Sequence, residues 1–142
     1  MPRVETKYFG SQDYAEDAVI CIPDGVPGFE DDCAFLLIQF RDQFPLVYLQ
    51  STTRPDVCFP ALPVRVFDQQ YKLELTEDDA EKLALSTRPV IGLDVLCLGM
   101  LVARATGTFV NLLAPVIVNI TTRRGAQCIN VAGNYSWELA AA

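Results

Sequence analysis

The stretch that decides the fold is NLLAPVIVNITTRRGAQCI, residues 111–129, in which two apolar runs flank a basic turn. β-Branched residues fill the first run, and Pro115 stands at its start, where a missing backbone N–H costs least. We expect residues 116–120 to pair with residues 126–131 across a turn in which Gly125 takes an awkward backbone angle. The stretch is therefore predicted to be scaffold, a pair of neighbouring strands without reactive groups.

Short strand patterns continue on both sides of this pair. They fall at residues 4–9, 18–22, 34–40, 46–51, 71–75, 90–101 and 108–112. The segment VCFPALPVRVF, residues 57–67, contains Pro60 and Pro63, which predict an edge strand or an irregular connection. The last nine residues, NYSWELAAA, lack a strand pattern, and Ala140 to Ala142 are expected to fray.

One helix is predicted in TEDDAEKLAL, residues 76–85, with Thr76 as N-cap and acidic residues in the first turn. Ala80 and Leu83 give it a narrow apolar stripe. Many short strands and one helix predict a mainly all-β fold, a small closed or nearly closed antiparallel β-barrel with one short helix. Residues 1–133 would form this single barrel domain, and residues 134–142 a C-terminal tail.

The composition argues against several classes of function. The chain has no histidine, which removes the commonest general base and the commonest zinc ligand. Its net charge of −7 disfavours direct binding of nucleic acid, because phosphate binding needs clustered Lys and Arg. We therefore expect no enzymatic activity, no metal and no cofactor. An acidic surface suits a basic protein partner instead.

The cysteines and the chain start predict the compartment. Five cysteines, without a C-x-x-C pair, indicate core thiols in a reducing environment. The N-terminus lacks a signal-peptide pattern, and no uninterrupted apolar run reaches membrane-spanning length. We expect a cytoplasmic protein that is monomeric alone and does not contact a membrane.

A few polar residues within apolar sequence call for partners. Asp94 interrupts a strand pattern, and a structural ion pair with Arg104 is expected to compensate its burial. Asn111 and Asn119 are expected to satisfy backbone groups near strand ends. Trp137, the only tryptophan, is predicted to be a packing anchor. The acidic turn FEDD, residues 29–32, lacks calcium-loop spacing and is predicted to be a solvated loop.

Four stretches carry a family resemblance: TKYFG (6–10), PDGVPGFEDDCAFLLI (23–38), PLVYLQSTTRPDVCFP (45–60) and the stretch 111–129. In this order they resemble the flagellar assembly factor FliW family of bacteria. The resemblance implies a non-enzymatic regulator with a compact β-barrel-like fold. Such a regulator binds flagellin and the RNA-binding carbon storage regulator CsrA, and allosterically relieves CsrA's repression of flagellin translation.

Three segments are candidates for these contacts. The acidic residues at the start of the helix and just before it are predicted to face the regulator: Glu74, Glu77, Asp78, Asp79 and Glu81. The same residues are also explained as a solvated helix N-terminus stabilised by its dipole. The turn GFEDD, residues 28–32, is a second candidate surface, although a plain loop explains it. Residues 59–67, with Phe59 and Val64, are the candidate flagellin contact.

Two other functions stay open on sequence alone. A small β-barrel ligand-binding protein with weak or no catalysis would show a large apolar cavity with convergent polar groups. A structural subunit of a larger assembly would self-associate through an open sheet edge.

Overall fold

The computed structural model describes residues 2–141, within which strands dominate. In chain order the elements are β1 (Arg3–Thr6), β2 (Gly10–Asp13), β3 (Val19–Cys21), β4 (Ala34–Gln39), β5 (Val47–Ser51), β6 (Cys58–Pro63), α1 (Glu77–Lys82), β7 (Val95–Arg104), β8 (Gly107–Val110), β9 (Val116–Asn119), β10 (Gly125–Gln127) and β11 (Leu139–Ala140). Three short 3-10 helices lie at Glu16–Ala18, Arg41–Gln43 and Val64–Val66.

One antiparallel sheet organises most of the chain. Its strands follow the order β10-β9-β7-β6-β5-β4-β3, while β1 and β2 form a separate hairpin. The long strand β7 pairs with β6 in its middle and with two further strands at its ends: its first half pairs with β9, and its second half with β8. The tail strand β11 adds to the far side of β8. The mainly β, antiparallel architecture with one short helix is confirmed.

The two ends of the sheet path approach one another without forming a ladder. The N–H of Cys21, at the end of β3, donates to the carbonyl of Arg123 at 2.9 Å, and a single isolated bridge joins Cys21 to Arg124. Among residues 2–141 no strand ladder connects β3 to β10. The predicted closed barrel is therefore not confirmed.

Alternating side chains bury both faces of the sheet. On β7, Val95 and Cys97 pack into one cluster, the helix-side core, while Leu98 packs into another, the central core. The helix-side core lies under residues 71–83, and the β1–β2 hairpin covers a third, smaller cluster around Val4 and Leu36. A strand with an apolar run and no clear alternation is typical of such two-sided burial.

The proline-bearing segment was wrongly predicted as an edge or irregular connection. Strand β6 lies inside the sheet, between β5 and β7. Its two ladders are staggered: β5 pairs with residues 58–61, and β7 with residues 61–63. Pro60 therefore pairs only with β5, and Pro63 only with β7. Each proline has one side without a ladder, where no N–H donor is needed.

The central hairpin forms nearly as expected, with a different turn. Gly125 pairs with Val118, and Gln127 with Val116, so the second strand is three residues long, and residues 128–131, expected in it, lie outside the ladder. The positive φ belongs to Arg123, at 62°, and Gly125 lies within the ladder. A Cβ at Gly125 would stand 3.0 Å from the carbonyl oxygen of Ile117, so the glycine permits close strand approach.

The C-terminal tail contains a strand that its sequence does not predict. Leu139 pairs with Val110 and Ala140 with Phe109, and the N–H of Ala141 donates to the carbonyl of Thr108 at 2.9 Å. Ala142, expected to fray, lies outside the described residues.

Candidate partner-binding surface

The start of α1 holds its acidic residues on an outward face. Thr76 caps the helix, as predicted: its hydroxyl accepts the N–H of Asp79 at 3.2 Å. Ala80 and the following Leu83 are buried in the helix-side core. Glu77 and Asp78 are exposed as a result, and their charges face water beside the positive end of the helix dipole.

The end of α1 is also fixed to the scaffold. The N–H of Leu85 donates to the carbonyl of Ala80 at 2.8 Å, while Ala84 between them takes a φ of 55°. This left-handed residue closes the helix as a glycine usually does. The side-chain amide of Asn119 donates to the carbonyl of Leu83 at 2.8 Å. A buried residue of β9 thus anchors the C-terminal end of α1.

The segment that leads into α1, residues 71–75, is extended and belongs to no strand ladder. Its side chains alternate between the core and the surface, as the sequence predicts. Asn130, 1% exposed, takes the place of a neighbouring strand. Its amide oxygen accepts the N–H of Glu74 at 2.9 Å, and its amide nitrogen donates to the carbonyl of Lys72 at 2.7 Å. Sequence reasoning missed Asn130, because its partners lie more than 50 residues away.

The structure brings five of the seven predicted contact residues together. The acidic set lies on one continuous stretch: Glu74, Glu77, Asp78, Asp79 and Glu81. Within it the Glu74 carboxylate is already engaged, since it accepts from Arg88 Nε at 3.0 Å. Asp79 is half-buried, and the other acidic residues of the helix, Glu77, Asp78 and Glu81, are exposed.

Phe59 and Val64 lie elsewhere in the protein. Phe59 is partly buried in the central core, with its ring 5.1 Å from that of Phe29 and 6.0 Å from that of Phe35. Val64 is completely buried in the helix-side core. Its side chain can meet a partner only if this segment moves.

The turn at residues 28–32 contains a buried carboxylate that the solvated-loop prediction overlooked. Asp32 is 1% exposed and accepts from the Ser51 hydroxyl at 2.9 Å. Arg54 stands 3.4 Å from its other oxygen. This network ties the turn to the loop after β5, so Asp32 has a structural role. Among residues 2–141 no group of His, Cys, Asp and Glu is arranged to hold a metal ion.

The remaining polar predictions have mixed outcomes. Asp94 does not pair with Arg104: its carboxylate accepts the N–H of Val90 at 2.8 Å, and Arg104 pairs with Glu138 instead. Asn111 and Asn119 do satisfy backbone N–H groups, as expected.

Trp137 was predicted to anchor the tail by packing. Its side chain is 58% exposed, so that prediction is wrong.

The cysteines divide into two groups. Cys97 and Cys128 are buried, as core thiols should be, and burial raises the pKa of each to about 12. Burial also raises the pKa of the half-buried Cys58 to about 11. Cys21 and Cys33 are exposed, so the core-thiol prediction is wrong for them.

Two surface clefts lie near the candidate contact segments, one beside residues 71–74 and one beside β6. One, of about 500 Å³, lies between residues 71–74 and residues 88–91 and carries several cations. The other, of about 360 Å³, is lined by Tyr8, Phe9, Tyr48, Cys58 and Pro60, and its rim includes the 60% exposed Tyr8. None of the helices within residues 2–141 has the length and apolar character needed to cross a membrane.

Comparison with known proteins gives a consistent result. The family model described as FliW protein matches residues 3–140. A flagellar assembly factor FliW from Caldanaerobacter subterraneus subsp. tengcongensis is 34% identical over 127 residues, covering 89% of this chain and 83% of the relative. One from Syntrophomonas wolfei is 28% identical over 134 residues, covering 94% and 85%.

A solved structure supports the same assignment. The crystal structure of a flagellar assembly factor FliW superimposes with a TM-score of 0.83 at 26% identity, covering 98% of this chain and 96% of the other. Sequence and architecture thus agree over nearly the whole chain, and the protein belongs to the FliW family.

Proposed function

We propose that this protein is a non-enzymatic regulator of flagellum assembly that binds flagellin and the RNA-binding regulator CsrA. Binding to CsrA relieves repression of flagellin translation allosterically, and free flagellin withdraws the protein from CsrA. Membership of the FliW family, whose members are named flagellar assembly factors, supports the role in assembly. The two named partners come from the family resemblance.

The observation that carries the proposal is the fixed acidic face of α1. Its residues are capped at one end by Thr76, tied to β9 at the other by Asn119, and held from below by Ala80 and Leu83. Because the helix is already fixed, its exposed acidic residues lose little conformational entropy when a partner binds. A complementary field mainly speeds encounter with a basic partner and sets its orientation.

A binding role also fits the chemistry of the surface. The chain lacks histidine. Burial raises the pKa of the Cys97 and Cys128 thiols, so both remain protonated at neutral pH. The cleft that includes Tyr8 and Pro60 offers exposed aromatic surface next to β6. We assign flagellin to this side of the molecule, where an extended or helical apolar segment would find rings to pack against.

The test reverses the acidic face and compares it with a matched surface. In one variant Glu77, Asp78 and Asp79 are changed to Lys. Glu77 and Asp78 are exposed and Asp79 is half-buried. Because charges at such positions contribute little to folding, and helix-dipole effects amount to about 0.3–1 kcal/mol each, the variant should stay folded. CsrA binding, measured by calorimetry at low salt, should weaken by at least about tenfold.

The control carries the same change in net charge at another place. Glu16, Asp17 and Asp42 are exposed and lie on other segments, so changing them to Lys should leave CsrA affinity nearly unchanged. Equal affinities of the two variants would exclude the α1 face as the docking site. Competition with flagellin tests the switch, because linkage requires each partner to weaken the other by the same factor.

A further inference from the structure

A cationic cleft lies beside the acidic face on a chain whose net charge is −7. Three of the eleven Lys and Arg residues line this one cleft of about 500 Å³: Arg65, Lys72 and Arg88. Glu74 is the one carboxylate among its lining residues. The cleft is therefore a local region of positive charge on an acidic protein, and it favours an anionic ligand.

The cations are held differently, and one is available. Arg88 pairs with Glu74 at 3.0 Å, and Arg65 donates to the carbonyl of Tyr71 at 3.5 Å. Lys72 has no ion pair within 4.0 Å anywhere in residues 2–141, and its side chain is exposed. An incoming carboxylate could pair with Lys72 without displacing a partner from it.

The backbone of one wall is also partly unpaired. In the extended segment 71–75, the N–H and C=O groups of Lys72 and Glu74 all bond towards residues 130–135. Within residues 2–141 no hydrogen bond uses the N–H or C=O of Leu73. Because successive residues of an extended chain direct these groups to opposite sides, those of Leu73 face away from Asn130. On that side the N–H of Leu75 meets the carbonyl of Thr87, next to the second wall of the cleft.

We propose that this cleft binds an extended acidic peptide segment of a partner protein. The segment pairs its backbone with the N–H and C=O of Leu73, as a short added strand, and its carboxylates lie against Lys72 and the two arginines. The opposite wall adds apolar contact, since Val90 is 52% exposed and lies next to Pro89 in the lining. The site adjoins the acidic stretch, with which it shares Glu74, and the proposal does not depend on what the acidic residues of α1 bind.

A small inorganic anion explains the surroundings less well. It would satisfy the cations, yet it would leave the Leu73 carbonyl without a donor and the apolar wall without a contact. The cleft is also larger than one phosphate group requires. Backbone donor and acceptor, cations and apolar wall together match a peptide.

The probe is a blocked peptide of alternating residues, Ac-Glu-Val-Glu-Val-Glu-NH2, added to the full-length ¹⁵N-labelled protein at low salt. We expect saturable shifts of the Leu73 and Ile91 amide signals. The same peptide with Gln in place of Glu should bind at least about tenfold more weakly, because its side chains carry no charge. Lys72→Glu should weaken the Glu peptide by a similar factor. Lys72→Gln should give an intermediate loss, and both variants should keep the unfolding midpoint of the unchanged protein.

Arg41→Glu is the matched control, since Arg41 is exposed and lies outside the cleft. It should leave the peptide affinity unchanged. The proposal is overturned if the Glu peptide produces no saturable shift at millimolar concentration, if the Gln peptide binds equally well, or if Arg41→Glu weakens binding as much as Lys72→Glu. Sodium phosphate that reproduces the Leu73 shift at the same concentration would identify a small-anion site instead, and would equally overturn it.

Discussion

The hairpin at the centre of the sheet and the segment that leads into α1 cover two sides of the same core, yet they are held by different means. The β9–β10 hairpin is fixed by backbone ladders, with Ile117 paired to Cys97 on one side and to Ala126 on the other. Residues 71–75 have no ladder and are held by separate bonds, two of which come from the side chain of Asn130 and one from the hydroxyl of Tyr135. A scaffold held by backbone groups tolerates most side-chain changes outside its core. A segment that relies on a few side chains is sensitive to single substitutions of those residues.

The largest loss of stability should come from placing a charged side chain in the β9–β10 hairpin. Ile117 is fully buried in the helix-side core, and Ile117→Asp places a carboxylate there without a partner. We expect a loss of about 4 kcal/mol or more in the free energy of unfolding, enough to unfold a typical domain. Circular dichroism and urea denaturation would measure it.

Ile129→Asp is the matched control on the same stretch, because Ile129 is 58% exposed. Its free energy of unfolding should change by less than about 0.5 kcal/mol. If Ile117→Asp remained folded and lost only one partner, the hairpin would be a contact surface rather than scaffold.

A smaller effect is expected when the side-chain amide of Asn130, which bonds to the backbone of residues 71–75, is removed. Asn130→Ala removes bonds to the N–H of Glu74, the carbonyl of Lys72 and the N–H of Ala132. Since unsatisfied buried groups cost about 1–3 kcal/mol each and some regain water, we expect a loss of about 3 kcal/mol. Hydrogen exchange should accelerate first at the Glu74 amide.

Asn134→Ala provides the comparison for that experiment, because Asn134 is exposed on the following turn. It should change neither stability nor the exchange of Glu74. Global unfolding of the Asn130 variant, with exchange raised equally on β9, would mean that the two regions form one cooperative unit.

The same contrast explains what the sequence could reveal. Residues 116–119 and α1 were predicted well because their signals are local: a β-branched run after Pro115, and Thr76 before three acids. The side chains of residues 71–75 also alternate as predicted. Alternation shows which side chains are buried, but it does not show which groups bond to the backbone of the segment. One such group is a side chain far along the chain, which no local pattern reveals.

The residues of the candidate sites also differ in whether a local sequence pattern could reveal them. The acidic stretch of α1 is contiguous and could be predicted from its spacing. The burial of Asp32 depends on Ser51 and Arg54, and the cationic cleft draws Arg65, Lys72 and Arg88 from three segments. Only the folded chain brings such residues together, so charge patterning along the sequence cannot reveal them.

The smallest predicted effect compares one backbone feature in both regions. Ala84 ends α1 with a φ of 55°, and Arg123 turns the β9–β10 hairpin with a φ of 62°, so each takes an angle that glycine adopts more easily. Ala84→Gly should raise the free energy of unfolding by about 0.5–1 kcal/mol, the relieved strain exceeding the greater freedom that glycine gives the unfolded chain. Arg123→Gly should do the same in the hairpin. Urea denaturation measures both, and Ala80→Gly, in the helix interior, should instead destabilise the protein. If only Arg123→Gly stabilised, the end of α1 would not be rigidly held at Ala84, and the acidic face would be less preorganised than its contacts with Asn119 and Thr76 indicate.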